Sequence, residues 1–313
     1  MSDIKKSILD AIGNTPLVRL RRVTKGVESE ILVKCEFMNP SGSLKDRVAK
    51  FMIAMAEKEG KLKPGYTIVE ASTGNMGSAL ALAAAATGYK FICCMPEEMT
   101  EERSKIMNMY GAEVRFTGSI FTDEGIRYVH REVARDIEAS NPNAWWARQF
   151  SNLANVEAHK QTTGYEIVEQ TGGNIDAFVM AVGSGGTLMG VALALKEKLP
   201  GKKVEIVAVE PERSPILSEG KAGAHLIPGI SDGFIPEILD TKIYDRIMAI
   251  ADEEAIEMAH RLRREEGLFC GISSGANVVA SLELAKEMGK GKTIVTVLPD
   301  SADRYFSFER LEV

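Results

Sequence analysis

The sequence predicts an α/β protein built of parallel sheets covered by helices. Three observations carry that expectation. Short apolar runs such as residues 66–71 (YTIVEA), 90–95 (KFICCM) and 176–182 (DAFVMAV) are rich in Val, Ile and Ala and read as buried strands. Stretches with helical spacing alternate with them along the chain. Glycine- and hydroxyl-rich turns stand between strand and helix, where open parallel sheets bind ligands. A chain of 313 residues accommodates two domains or one large α/β unit.

Taken in order, residues 12–17 (IGNTPL) are a turn leading into a short strand, and residues 30–36 are a strand. Asn39-Pro40 and Ser41-Gly42 are turn chemistry. Beyond them Val48, Phe51, Met52 and Met55 mark one stripe of a helix that ends near Gly60. Strand 66–71 runs into the polar turn 72–77, followed by an alanine-rich helix over 78–87 stopped by Gly88. Strand 90–95, helix 101–110, strand 113–116, helix 123–137 and strand 144–147 continue the alternation. The second half repeats it with helix 156–170, strand 176–182, turn 183–187, a helix to about Leu199 and strand 204–210. Residues 211–236 are rich in Pro and Gly and irregular. Helix 253–266, a helix from Ser273 to about Met288 and strand 292–298 complete the chain.

Composition narrows the function. The chain is 45% hydrophobic and 26% charged, and its net charge is −6, from 38 basic and 44 acidic residues. That balance argues against a nucleic acid or an anionic membrane as partner. There is no apolar run of membrane-spanning length and no secretory signal. Cys35, Cys93, Cys94 and Cys270 form no CxxC pair, which reads as reduced, cytoplasmic usage without a disulfide framework or metal site. His130, His159, His225 and His260 are scattered and read as structural or surface residues.

Lys45 sits where the Gly/Ser turn enters a helix. The positive potential of a helix start disfavours a second positive charge and lowers a lysine pKa, and such a lysine is a Schiff-base nucleophile. A solvated lysine is the plain alternative for that residue alone. Gly183-Ser184-Gly185-Gly186-Thr187 lies between strand and helix, and its N–H groups suit one phosphate. It lacks the full GxGxxG spacing, although Glu210 after the next strand keeps a nicotinamide-dependent oxidoreductase open. Ser72-Thr73-Gly74-Asn75 offers hydroxyls, an amide and N–H groups to a carboxylate, against simple helix capping. Residues 271–275 (GISSG), alone, read as a cap.

The motifs NPSGSLKDR, STGNMG, GSGGTLMG and GISSGA, in this order, resemble the pyridoxal-phosphate enzymes of the cysteine synthase (O-acetylserine sulfhydrylase) and cystathionine β-synthase family. IGNTPLVRL, QFSNLAN at Gln149 and GFIPEIL at Gly233 match as well, so the resemblance covers nearly the whole chain. It implies fold type II, like the tryptophan synthase β chain, with two open, mostly parallel α/β domains. A smaller mobile domain would span 41–149, and a larger cofactor-binding domain 1–40 plus 150–313. Lys45 would hold pyridoxal 5'-phosphate as a Schiff base and act as base and acid at the substrate α-carbon. Gly183, Ser184, Gly185, Gly186 and Thr187 would bind its phosphate, Asn75 its 3-oxygen, and Ser273 its ring nitrogen. A hydroxyl there leaves the ring a weaker electron sink, which disfavours side reactions. Ser72, Thr73, Gly74, Met76 and Gln149 would bind the substrate carboxylate. The implied reaction is β-replacement on a small L-amino acid through an α-aminoacrylate intermediate. A cytoplasmic homodimer is expected, with no regulatory module after Val313.

Two positions depart from cysteine synthases. Met76 replaces a threonine in the carboxylate turn. Residues 229–234 read GISDGF where the family usually has GIGAGF, which would put the Asp232 carboxylate at the active-site mouth. Hydrosulfide is already anionic and would be repelled by it, whereas water needs a positioned base. The expectation is therefore L-cysteine plus water giving L-serine and hydrogen sulfide, with Asp232 as base. The alternative is cysteine synthase, making L-cysteine from O-acetylserine and sulfide.

Overall fold

Ala177–Ala181 is buried at every position, as its uninterrupted apolar run requires. In the structure, a computed structural model describing residues 4–97, 101–122 and 125–309, this strand lies inside a six-stranded sheet. The strand order is Leu17–Arg19, Glu30–Cys35, Thr293–Leu298, Ala177–Ala181, Glu205–Pro211, Arg246–Ile250. Only the first pair is antiparallel. The sheet belongs to a unit made of residues 13–38 and 155–302. Helix Ile272–Met288 is fixed across two of its strands by Asn277. The side-chain oxygen of Asn277 accepts from the Ala181 N–H at 2.7 Å, and its Nδ2 donates to the Val297 carbonyl at 2.8 Å.

The other unit holds residues 39–154 together with residues 4–12 and 303–309 near the two ends. Its sheet is wholly parallel, in the order Glu113–Thr117, Lys90–Pro96, Thr67–Ala71, Ala144–Trp146. Helices Lys45–Lys58 and Asn75–Thr87 bury Val48, Met52, Ala79 and Leu80 in one core with Met107. Gly88 closes the second helix in the left-handed conformation, its N–H donating to the Ala84 carbonyl at 2.8 Å. The ends join this unit through hydrogen bonds. Lys50 Nζ donates to the Leu9 carbonyl at 2.8 Å, and the Ser307 N–H donates to Glu102 at 2.9 Å. Among the described residues no helix is long and apolar enough to cross a membrane.

The structure differs from the expected elements in three places. Instead of one helix over 123–137 there is a hairpin, Ser119–Thr122 with Gly125–Tyr128, followed by helix His130–Ser140. Ile126 and Tyr128 are strand formers ahead of the helical pattern; Asp123 itself lies outside the described residues. The helix expected over 156–170 is Ala154–His159 and Tyr165–Thr171 joined by a π-helical turn, Lys160–Gly164. The sheet gains an edge strand, Arg246–Ile250, where no element was expected.

Candidate active site

The turn after Ala177–Ala181 enters helix Gly186–Lys198, whose first N–H groups have no partner within the helix. Around it lie an amide, hydroxyls and an imidazole. Asn155 Nδ2 donates to the Ser184 hydroxyl at 3.0 Å, and Thr187 Oγ1 hydrogen-bonds His159 Nε2 at 3.2 Å. His159 Nδ1 in turn meets the Thr163 hydroxyl at 2.9 Å inside the π-helical turn, a distortion common at functional sites. Backbone N–H groups, hydroxyls and a helix N-terminus form the donor set that a phosphate dianion requires. Gly183 has a steric reason as well: a Cβ there would lie 2.4 Å from the Gly229 carbonyl oxygen.

That contact brings the segment around Asp232 beside the turn 183–187. The Ser231 N–H donates to the Val182 carbonyl at 2.9 Å. Ser231 is a non-glycine residue at φ +49°, a costly conformation that clusters at functional sites. Its hydroxyl donates to the Ser214 carbonyl at 3.1 Å, which holds it there. Asp232 follows directly and is exposed. In the same unit Ser273 is buried in the first turn of helix Ile272–Met288. The Glu210 carboxylate, the acidic residue that kept a dinucleotide reading open, accepts from the N–H groups of Leu217 at 2.7 Å and Ser218 at 3.2 Å. It is occupied in bracing the loop after its own strand.

In the other unit Lys45 is the first residue of its helix and half-buried. Its N–H donates to the Ser43 hydroxyl at 3.3 Å. The turn before it is closed by Gly42 N–H to the Asn39 carbonyl at 2.7 Å and by the Ser41 N–H to Asp46 at 2.6 Å. Ser72 behaves as a cap, its oxygen accepting from the N–H groups of Gly74 and Gly77, both at 3.1 Å. Its hydroxyl proton stays available for donation. Met76, in the same turn, is 1% exposed and packs its side chain in the core. Gln149 is brought to the same turn, with Nε2 3.5 Å from the Ala71 carbonyl.

Glu70, which the motifs did not single out, ties these residues together from behind. Its carboxylate accepts from the N–H of Ala71 at 2.9 Å, the indole of Trp146 at 3.3 Å and the N–H of Gln149 at 3.2 Å. Burial pushes its pKa from 4.5 up to about 7, against those hydrogen bonds and the charge of Arg131. Between those values the native protein binds a proton that the unfolded chain releases, so stability falls as pH rises from about 4.5 to 7. The shift corresponds to roughly 3 kcal/mol at most. Thermal melts of wild type and Glu70→Gln from pH 5 to 8 should show the difference moving in the variant's favour with pH. A constant difference would contradict the assignment.

A family model for pyridoxal-phosphate dependent enzymes matches residues 8–300. A cysteine synthase of Staphylococcus aureus is 47% identical over 302 residues, which cover 96% of this chain and 95% of that protein. The solved cysteine synthase of Entamoeba histolytica superposes with a TM-score of 0.92 at 41% identity, covering 99% of this chain and 91% of that one. A hydrogen sulfide-producing enzyme of Fusobacterium nucleatum gives 0.90 at 38%, covering 98% and 99%. The donor set at the turn 183–187 fits the phosphate of that cofactor, and Lys45 supplies an amine at a helix entry. The chain belongs to the pyridoxal-phosphate dependent enzymes of the cysteine synthase family, whose fold and β-replacement chemistry it shares.

Proposed function

We propose that the protein converts L-cysteine and water into L-serine and hydrogen sulfide. The observation that carries this reading is the pinning of the Gly229–Asp232 segment to the phosphate turn, through Ser231 N–H to Val182 and Gly183 against Gly229. It supports a carboxylate near the reacting β-carbon. A hydrogen sulfide-producing relative among the similar structures supports the same direction.

When bound, pyridoxal phosphate supplies the electron sink that makes the substrate α-hydrogen acidic and lets the β-substituent leave. Lys45 holds the cofactor, removes the α-proton and returns it. Residues 183–187 bind the phosphate, Asn75 the 3-oxygen, and Ser273 the ring nitrogen without charging it. Ser72, Thr73, Gly74 and Gln149 orient the substrate carboxylate. Hydrosulfide leaves first; Asp232 then takes a proton from water as its oxygen bonds to the β-carbon, and releases that proton to solvent. One C–S bond breaks, one C–O bond forms, and no electrons are exchanged with another reagent. In this reading the unit with residues 41–149 is the mobile one and the other holds the phosphate. Homodimeric assembly and a cytoplasmic location belong to the same proposal and rest on the family resemblance.

The second reading is cysteine synthase, favoured by the name of the 47% identical relative. Product analysis separates the two. With L-cysteine alone, the proposal expects L-serine and sulfide in equal amounts, and Asp232→Asn lowers that rate by about 10²-fold or more. Undiminished serine formation in the variant removes Asp232 as base. Turnover only with O-acetylserine and sulfide establishes the second reading.

A further inference from the structure

Arg304 is 1% exposed, among the most deeply buried large side chains among the described residues. A guanidinium taken out of water is tolerated only with well-placed partners. It donates to the Ser41 carbonyl and, at 3.4 Å, to the Ser78 hydroxyl. Ser41 lies in the turn that leads into Lys45 and donates through its N–H and its hydroxyl to the buried Asp46. Ser78 lies one turn beyond Asn75 on helix Asn75–Thr87. One buried cation thus ties the Lys45 turn to the helix that presents Asn75.

The next residue reaches the carboxylate turn by a separate route. The Tyr305 ring lies against the Arg103 guanidinium, 5.5 Å from its centroid. Arg103 Nη1 donates to the Thr73 carbonyl at 2.7 Å. Its stem fills the space a side chain at Gly74 would take, since a Cβ there would lie 2.8 Å from Arg103 Cδ. The segment bearing Arg304 and Tyr305 is clamped to helix Glu101–Met109, where the Ser307 N–H and hydroxyl donate to the Glu102 carboxylate at 2.9 and 2.8 Å.

We propose that Arg304 and Arg103 are positioning residues held by one C-terminal segment. Arg304 sets the Lys45 turn for proton transfer, and Arg103, seated on Tyr305, sets the Thr73–Gly74 turn for the substrate carboxylate. The proposal rests on the roles given above to Lys45 and to residues 72–74. It assigns the two arginines to different kinetic constants, because a misplaced base slows chemistry while a misplaced carboxylate turn weakens binding.

The test uses cofactor-loaded Arg304→Lys and Arg103→Met, with steady-state kinetics on L-cysteine and amide hydrogen exchange. Arg304→Lys is expected to lower kcat about tenfold or more with KM within about twofold. Amide exchange should accelerate in residues 39–47. Arg103→Met is expected to raise KM about tenfold with kcat within about twofold, and exchange should accelerate in residues 72–77. Ser78→Ala, which removes one acceptor and leaves the charge in place, should repeat the Arg304 pattern more weakly and covers a failure of Arg304→Lys to fold. Unchanged kinetics, or kcat and KM falling and rising together in both variants with the melting temperature, would overturn the proposal. Borohydride labelling of the wild type separates this from the site reading. An adduct on Lys45 with unaltered Arg304→Lys kinetics defeats only the positioning roles, and no adduct on Lys45 defeats the site itself.

Discussion

Lys45→Ala is expected to lose the visible absorption of lysine-bound cofactor and at least about 10³-fold in rate, because the proposed mechanism gives one side chain both covalent attachment and α-proton transfer. The lysines nearest to it in sequence are already engaged. Lys34 is fully buried and donates to the Thr15 carbonyl at 2.6 Å and to Gln170 at 2.9 Å, with Glu166 at 2.6 Å as its ion-pair partner. Lys50 is committed to the Leu9 carbonyl. The loss should be read in two ways, as the absorption band and as exchange of the substrate α-hydrogen with deuterated water. The second isolates the proton transfer from the later fate of sulfide. Exchange near the wild-type rate in Lys45→Ala would assign the base to another group.

Gly275→Ala should be the most damaging single methyl in the larger sheet's unit. A Cβ at Gly275 would stand 1.8 Å from the Ala255 carbonyl oxygen and 2.8 Å from the Ala259 N. Both are backbone atoms of helix Asp252–Glu266, which crosses Ile272–Met288 at this point. A flexible side chain could swing aside; a helix backbone must move as a body. Overpacking of this kind costs about 3 kcal/mol or more, a fall of roughly 5 °C or more in Tm for a chain of this size. Helix Ile272–Met288 carries Ser273 in its first turn and is tied by Asn277 to the strand ahead of the turn 183–187. Cofactor affinity should therefore weaken alongside stability. A Tm within about 1 °C of wild type would mean the two helices do not approach so closely.

Most of the architecture is legible in the sequence because it is written locally. Buried parallel strands announce themselves as runs like 177–181, and the turns that follow them carry the glycines and hydroxyls of the site. The miss at 125–128, expected as the start of a helix, arose where strand-forming residues run without a break into a helical pattern. Arg246–Ile250 is an edge strand with one buried residue, and its apolar run, residues 247–250, is shorter than that of the inner strand Ala177–Ala181. Met76 was read by the hydroxyl it lacks, but which face of a first helical turn meets the core depends on what packs against it, here Met107 and its neighbours. Ser72 carries both readings, ligand and cap: its oxygen accepts from Gly74 and Gly77 as a cap does, and the ligand reading remains part of the proposal.

The supporting residues were not legible for a different reason. Arg304 meets Ser41 across 263 positions, Glu70 meets Gln149 across 79, and Asn277 meets Ala181 across 96. None has a spacing that a motif could record. A buried charge such as Glu70 or Arg304 looks, in sequence, like any other charge on a helix or strand. Only the fold reveals that it has been taken out of water and aimed at a turn.

Borohydride reduction of cofactor-loaded protein, followed by mass spectrometry of its peptides, reads the attachment of pyridoxal phosphate directly. A single pyridoxyl adduct on the amine of Lys45 is the predicted result. An unmodified Lys45 peptide from fully loaded protein, with the adduct on another lysine or on none, would contradict it.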